Sequence, residues 1–590
     1  MNRCHITQWD AYRKPQKYGI FYSQLNQTDG GAKVAGPLLN IVKGTALEAP
    51  ASMYEPGDPS SNYDIGSKGV IFVACDPVPS RPQYHGTSDV YFVPLESWTQ
   101  APMYKPTKLI LQNESPVGVA SNPRFSPDGT MIAYLKTPVS NIADTRLLMS
   151  HVGSLASFDV WRLVLGSSWD LAPQSFEYAP HGESLFITAD DCGRRSLFEL
   201  ELQHQAQPRP LMRNPSVAGF YPLKNGHDDL ELLVSASSMV ESRVYTVIDT
   251  TQKAEPRIVS TSTKHGMKLD LSHGQVSEIW FEGSENNCVQ AWMVKPRNFD
   301  ANKKWPVVLQ LHGGPEDAAR DEWSWRWNNA VWAEQGYIMV SPNYTGSVGF
   351  GIDFTTGIFG QWGGRPYLDL VNCMEYLATI PFIDMDRAVV AGGSYGGYLV
   401  NWILGQPLAK KVCSSPFPLV IVLYDRPSMR AYMLTPLFVS QFKAAISHDS
   451  VFDTSLMGLN GDIIGGINDF NGPGFPWNNN DNLERWNPAR PDLLRNWKHA
   501  PPTLIIHSDK DYRCVVTDGL AAFRTLQCFG VKSRYLTFPD EGHWVLKPEN
   551  SLVWHNTVFE WMNKWVGSGP TEETSEQEPP PQDALQSPQP

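Results

Sequence analysis

The sequence predicts a two-part fold, an incomplete β-propeller followed by an α/β domain, and three observations carry that prediction. Before residue 285 a strand-rich unit repeats with a period of roughly 50 residues. From residue 286 short apolar strands alternate with helical stretches. Near the middle of this second part a serine stands between glycines directly after the apolar run Ala388-Val389-Val390-Ala391.

The repeat is read from turn-then-strand segments. Phe125-Ser126-Pro127-Asp128-Gly129 leads into Thr130 to Tyr134, Tyr178-Ala179-Pro180-His181-Gly182 leads into Glu183 to Ile187, and Ile65 to Ala74 matches more weakly. A second strand follows each, at Val90 to Val93, Leu147 to Met149 and Leu197 to Leu200, and another lies at Val244 to Ile248. Several strands per repeat is the pattern of propeller blades, and only four or five such units fit before residue 285. Closure of the ring removes edge strands, so the first blades are expected to be missing. Tyr18 to Tyr22 already reads as a strand without an earlier partner, and Met1 is therefore expected not to be the natural start.

In the second part, strands are predicted at Gln290 to Val294, Val307 to Leu311, Tyr337 to Val340, Ala388 to Gly392, Lys443 to His448, Thr503 to His507 and Arg534 to Phe538. Such short apolar runs suit a sheet covered on both faces. The expected division is 1–285 for the partial propeller, 286–566 for the α/β domain and 567–590 for a disordered tail rich in Glu, Gln, Ser and Pro.

Composition narrows the function. A net charge of −13 argues against nucleic acid, which calls for clustered Lys and Arg. No apolar run reaches the roughly 18 residues of a membrane span, and the first residues lack the apolar stretch of a secretory signal. The eight cysteines are scattered singly with no Cys-x-x-Cys, so no zinc site is suggested. No metal or cofactor is expected. Asn26, Asn113 and Asn343 stand in glycosylation-type triplets, a pattern that chance also supplies.

Gly392-Gly393-Ser394-Tyr395-Gly396-Gly397-Tyr398 has the nucleophile-elbow pattern, in which a tight strand-to-helix turn needs small residues beside the serine. Serine is a poor nucleophile at neutral pH and needs a base, with a third group to orient that base. In this fold, the α/β-hydrolase, the chain order is serine, acid, histidine. Ser508-Asp509-Lys510-Asp511 follows the strand ending at His507, which makes Asp511 the expected acid, with Asp509 as its competitor. Pro539-Asp540-Glu541-Gly542-His543 follows the strand ending at Phe538, which makes His543 the expected base. An oxyanion needs two donors: the backbone N–H of Tyr395, and that of Gly314 in the His312-Gly313-Gly314-Pro315 loop.

These residues resemble the prolyl oligopeptidase-type serine peptidases, and most closely the dipeptidyl-peptidases among them. The resemblance reaches to about Val566 and is most specific at Trp9 to Pro15, Gln361-Trp362-Gly363-Gly364, the elbow, His507 to Arg513 and Phe538 to Val545. It implies a propeller over an α/β-hydrolase domain, with a cavity between them that admits short peptides. By position, Ser394, Asp511 and His543 resemble the family's nucleophile, acid and base. Arg513 resembles an arginine that binds a substrate carbonyl, with a surface ion pair as its alternative. Tyr398 is a candidate for lining the substrate pocket, with core packing as its alternative.

The implied activity is that of a serine exopeptidase releasing N-terminal dipeptides through an acyl-enzyme. The alternatives are release of acylated amino acids, an esterase, or an inactive binding protein. Secretion is implied by the resemblance, although the sequence as written carries no signal peptide. Ser455 to Asp462 lacks the acidic segment expected there, which leaves substrate preference open. Residues 412–441 interrupt the family pattern between Lys411 and Phe442 and are expected to be a retained intron. Val412-Cys413 can be encoded by GTATGT, Leu434-Thr435 can contain CTGAC, and Gln441 can be CAG; a surface loop is the competing view.

Overall fold

The computed structural model describes residues 18–28, 31–51, 59–75, 87–111, 118–138, 141, 143–159, 169–203, 207–223, 231–406, 442–462 and 481–570, with strand pieces at 7–8, 11–12, 419–421 and 432–434. The glycosylation-type triplet at Asn113, most of the 412–441 segment, and the tail beyond residue 570 lie outside them. Within that segment, Leu419–Ile421 pairs antiparallel with Tyr432–Leu434, in a sheet of their own.

Among the described residues of the first part, four successive sheets of four or five strands, antiparallel except where Ile110–Leu111 joins Ala156–Asp159, are centred on the strands Gly69–Cys75, Met131–Pro138, Ser184–Asp191 and Glu231–Ser237. The repeated turns take the same form: Gly129 N–H donates to the Ser126 carbonyl and Gly182 N–H to the Ala179 carbonyl, each at 2.8 Å. Neighbouring sheets share their cores. Ile71 and Phe92 pack with Ile132 and Tyr134, Leu135 and Leu147 with Leu185 and Ile187, and Phe186 and Leu197 with Leu232 and Val234. Alternating strands that bury apolar side chains on both faces stack in this way as blades.

The second part is built on one eight-stranded sheet. In chain order its strands are β1 (Val276–Glu282), β2 (Cys288–Val294), β3 (Trp305–Leu311), β4 (Ile338–Asn343), β5 (Ile383–Gly393), β6 (Ala444–His448), β7 (Thr503–Ser508) and β8 (Ser533–Phe538). Their spatial order is β1-β2-β4-β3-β5-β6-β7-β8, with β1 and β2 antiparallel to their neighbours and the rest parallel. Successive side chains alternate between two cores. Val307, Leu309, Val390 and Ile505 face the helices Arg365–Ala378 and Tyr395–Leu404, while Val308, Val389, Ile446 and Leu504 face Trp554, Val558 and Trp561 of the helix Pro548–Val566.

All seven predicted strands of this part are present, but β1 corrects the expected division at 285/286, because it pairs with β2 along its whole length. As an edge strand it alternates exposed and half-buried residues, and so reads like the blades before it. The two parts meet through buried charge. Arg320, between β3 and β4, donates from Nε to Asp190 Oδ1 at 2.9 Å and from Nη2 to Oδ2 at 2.8 Å, and Met239 N–H donates to Asp321 at 2.9 Å.

Candidate active site

β5 runs out of the sheet centre into the helix Tyr395–Leu404, and Ser394 stands at the junction with φ 58° and ψ −123°. This is a costly backbone conformation for a residue with a side chain, held here by its surroundings. Ser394 N–H donates to the His448 carbonyl at 3.0 Å. Gly392 and Gly396, two residues to either side of the serine, leave no room for a methyl. A Cβ on Gly392 would lie 2.5 Å from the Gly396 carbonyl, and one on Gly396 would lie 2.2 Å from the Leu311 carbonyl oxygen.

The loop after β3 passes alongside the serine, since a Cβ on Gly313 would stand 3.2 Å from Ser394 Cβ. Gly314 follows with φ 121°, where a side chain would be strained. Tyr395 opens the helix, so its N–H has no partner in a preceding turn. The two backbone groups expected to receive an oxyanion thus belong to segments that border Ser394. His312 holds this loop: its ring stacks on Tyr344 at 4.3 Å, its nitrogens lie 2.7 Å from the Gly313 oxygen and 2.8 Å from Ser347 Oγ, and Tyr344 OH donates to the His312 carbonyl. Burial pushes the His312 imidazole down to about 4, against the pull of Asp317, so the ring is neutral at pH 7.

Beyond β7 and β8 the other two expected residues meet. His543 Nδ1 lies 2.7 Å from Asp511 Oδ2, and both side chains are buried. Asp511 Oδ1 accepts the N–H groups of Arg513 at 2.9 Å and Cys514 at 3.0 Å, which fixes the carboxylate. With Nδ1 protonated and donating to Asp511, Nε2 is left with its lone pair as the acceptor a base requires. Burial pulls the His543 imidazole down, but the Asp511 charge and hydrogen bond, with Asp449 beyond, outweigh it and raise it above the usual histidine value. Asp509, the competing acid, instead accepts from Thr537 Oγ1 at the surface.

The structure corrects one of the two expected substrate contacts, Tyr398. Tyr398 is fully buried, donates its hydroxyl to the Trp486 carbonyl at 2.7 Å and stacks between Tyr395 and Trp402, so it is a core residue and lines no pocket. It stands one helical turn after Ser394 on the face that carries Tyr395 and Trp402 and meets Trp362 and Trp486, while Gly397 and Asn401 face the sheet. Arg513 forms an ion pair with Asp462, with Nε 2.6 Å from Oδ1 and Nη2 3.4 Å from Oδ2.

Sequence reasoning missed His448, the last residue of β6, and Asp449 directly after it. The available signal was an acid just past the carboxyl end of a predicted strand. Asp449, His507 and Asp511 each bring one atom within 4.8 Å of the others. Hydrogen bonds already occupy this group: Asp449 accepts from Ser508 N–H, His507 Nε2 lies 2.6 Å from the Cys514 carbonyl, and Asp511 holds His543.

The model of the prolyl oligopeptidase family matches residues 323–420 and 429–569, and that of acetyl xylan esterase matches 256–362. Dipeptidyl-peptidase 5 of Trichophyton schoenleinii is 34% identical over 567 residues, covering 95% of this chain and 72% of the relative. Dipeptidyl-peptidase 5 of Aspergillus fumigatus is 35% identical over 575 residues, covering 95% and 73%. Among solved structures, the Pyrococcus horikoshii acylaminoacyl peptidase superposes with a TM-score of 0.64 at 19% identity, covering 87% of this chain and 72% of that one. A puromycin-hydrolyzing peptidase of Mycobacterium tuberculosis does so with a TM-score of 0.60 at 16% identity, covering 95% and 86%. With a propeller-and-hydrolase fold and relatives matched over nearly its whole length, this chain belongs to the prolyl oligopeptidase family of serine peptidases.

Proposed function

We propose that the chain releases N-terminal dipeptides from short peptides through an acyl-enzyme on Ser394. The observation that carries this reading is the buried 2.7 Å contact between His543 Nδ1 and Asp511, in a chain whose Ser394 is held in a strained elbow. Ser394 Oγ attacks the carbonyl carbon of the scissile bond while His543 Nε2 takes its proton, and Asp511 stabilises the imidazolium that forms. The oxyanion is received by the N–H groups of Tyr395 and Gly314. The proton on His543 then passes to the leaving amine as the C–N bond breaks. Water, deprotonated in turn by His543, hydrolyses the ester and returns Ser394. Arg513, steadied by Asp462, holds a substrate carbonyl by charge-assisted hydrogen bonds.

The names of the Trichophyton and Aspergillus relatives support dipeptide release over release of blocked residues. Secretion is part of the same proposal, checked by activity in culture supernatant against cell lysate. The test of function pairs a fluorophosphonate probe with two chromogenic substrates. Labelling of the wild type and none of Ser394→Ala, with cleavage of a free-amine dipeptide substrate and not its N-acetylated form, is the expected result. Cleavage of the acetylated substrate alone would make it an acylaminoacyl-peptidase, and a folded protein that takes no label would have lost its activity.

A further inference from the structure

Behind the candidate base lies a carboxylate to which the reaction just described gives no part. Asp449 is 1% exposed and takes φ 42°, a left-handed conformation uncommon for a residue with a side chain. Its backbone N–H donates to the Ile506 carbonyl at 2.9 Å, and its Oδ1 accepts the Ser508 N–H at 2.8 Å. Asp449 thereby clamps the end of β7, where the turn to Asp511 begins. Its Oδ2 lies 2.8 Å from His448 Nε2, in ion-pair range but without the alignment of a hydrogen bond.

His448 is itself fixed beside the elbow. Its ring packs against Trp327 and Trp554, its carbonyl accepts the Ser394 N–H, and a Cβ on Gly393 would stand 3.5 Å from its Nδ1. Asp449 therefore bridges the strand end next to the nucleophile and the strand end that carries the acid. Two buried carboxylates brought this close repel, and an arrangement of this kind persists where cationic or hydrogen-bond-donating groups face both. The groups facing Asp449 are His448 on its own strand end, His507 from β7 and His543 from the loop after β8. Cys514 and Tyr535 also feel its charge, and their own groups stay neutral because burial raises both. Arg513 opposes it at His543.

We propose that Asp449 is a positioning residue for the hydrolytic reaction, a second buried anion that sets the charge around His543 and fixes the turn carrying Asp511. Burial alone would raise the Asp449 carboxyl, but His448 beside it more than offsets this and holds it below its usual range, so the anion is present across the working pH. Removing the charge while keeping the shape should leave His543 easier to deprotonate and therefore active at lower pH.

This inference rests on His543 as the base. The test measures the second-order rate of Ser394 phosphonylation by an uncharged fluorophosphonate across pH, which avoids titration of a peptide amine. In Asp449→Asn, the rate relative to wild type is expected to rise about threefold from the alkaline plateau to the acid limb. Asp449→Glu, which keeps the charge, should leave the limb in place. If Asp449→Asn does not fold, Asp449→Ser carries the same expectation. An acid limb that stays put in a folded charge-removing variant overturns the inference, whether or not the rate falls uniformly. A wild type that takes no label at any pH would instead overturn the proposed function.

Discussion

Gly396 and Leu311 approach so closely that a methyl on the glycine would sit 2.2 Å from the leucine carbonyl oxygen. This contact locks the first turn of the elbow helix onto β3. Gly396→Ala is therefore expected to destabilise the fold by about 3 kcal/mol and to abolish probe labelling, because the turn can relax only by moving Ser394. Gly393→Ala meets nothing nearer than the edge of Trp327 at 3.3 Å and should retain most of its stability. Thermal unfolding of the two variants side by side checks this.

Asp511→Asn removes the charge that orients and supports His543. A loss of about a thousandfold or more in kcat/KM is expected. In the wild type, kcat/KM should climb with pH through a midpoint above that of an ordinary histidine, since Asp511 outweighs burial and raises the imidazole. The same shift has a stability consequence of definite sign. A raised folded-state value stabilises the protein below the unfolded histidine value, and this contribution is lost as pH rises through the folded one. Chemical denaturation of wild type and His543→Gln at several pH values measures the difference.

Tyr398→Phe deletes one hydroxyl whose partner is the Trp486 carbonyl. A buried hydrogen bond of this kind is worth about 1 kcal/mol. The variant should melt lower while keeping its KM and kcat, which is what separates a core residue from a pocket residue.

Arg320→Met leaves Asp190 buried without its bidentate partner and should cost about 3 kcal/mol. Burial would raise the Asp190 carboxyl, but Arg320 and Arg195 outweigh it and hold it low. The stabilisation is therefore present above the unfolded aspartate value and lost as pH falls through the folded one. In acid the wild type and variant should converge in stability, as followed by urea denaturation.

Transcripts are expected to join codon 411 to codon 442. Phe442 is buried two residues before β6, and Gly405 ends the helix before the segment, so among the described residues the main sheet takes no strand from 412–441. Reads that all retain the segment would make it a genuine loop.

How much was legible depended on whether the signal was local. The elbow, the seven strands and the order Ser394, Asp511, His543 are written in short contiguous runs, each with its own periodicity or turn chemistry. The choice between Asp509 and Asp511 was not, because both follow the same strand and only folding shows which carboxylate meets the imidazole. Tyr398 was misplaced for a related reason: proximity to Ser394 in sequence says nothing of whether its side of the helix opens to substrate or is covered, as it is here by Trp362 and Trp486. Asp449 with Asp511, and Asp190 with Arg320, are partners far apart in the chain, and no pattern in a single sequence joins them.

The segment between β3 and β4 borders Ser394 at Gly313 and grips the third blade at Arg320, within a few residues. The two halves of this enzyme are thus not interchangeable modules. A different propeller grafted onto this hydrolase would need an acid where Asp190 stands, or the loop expected to receive the oxyanion would be left to find its own position.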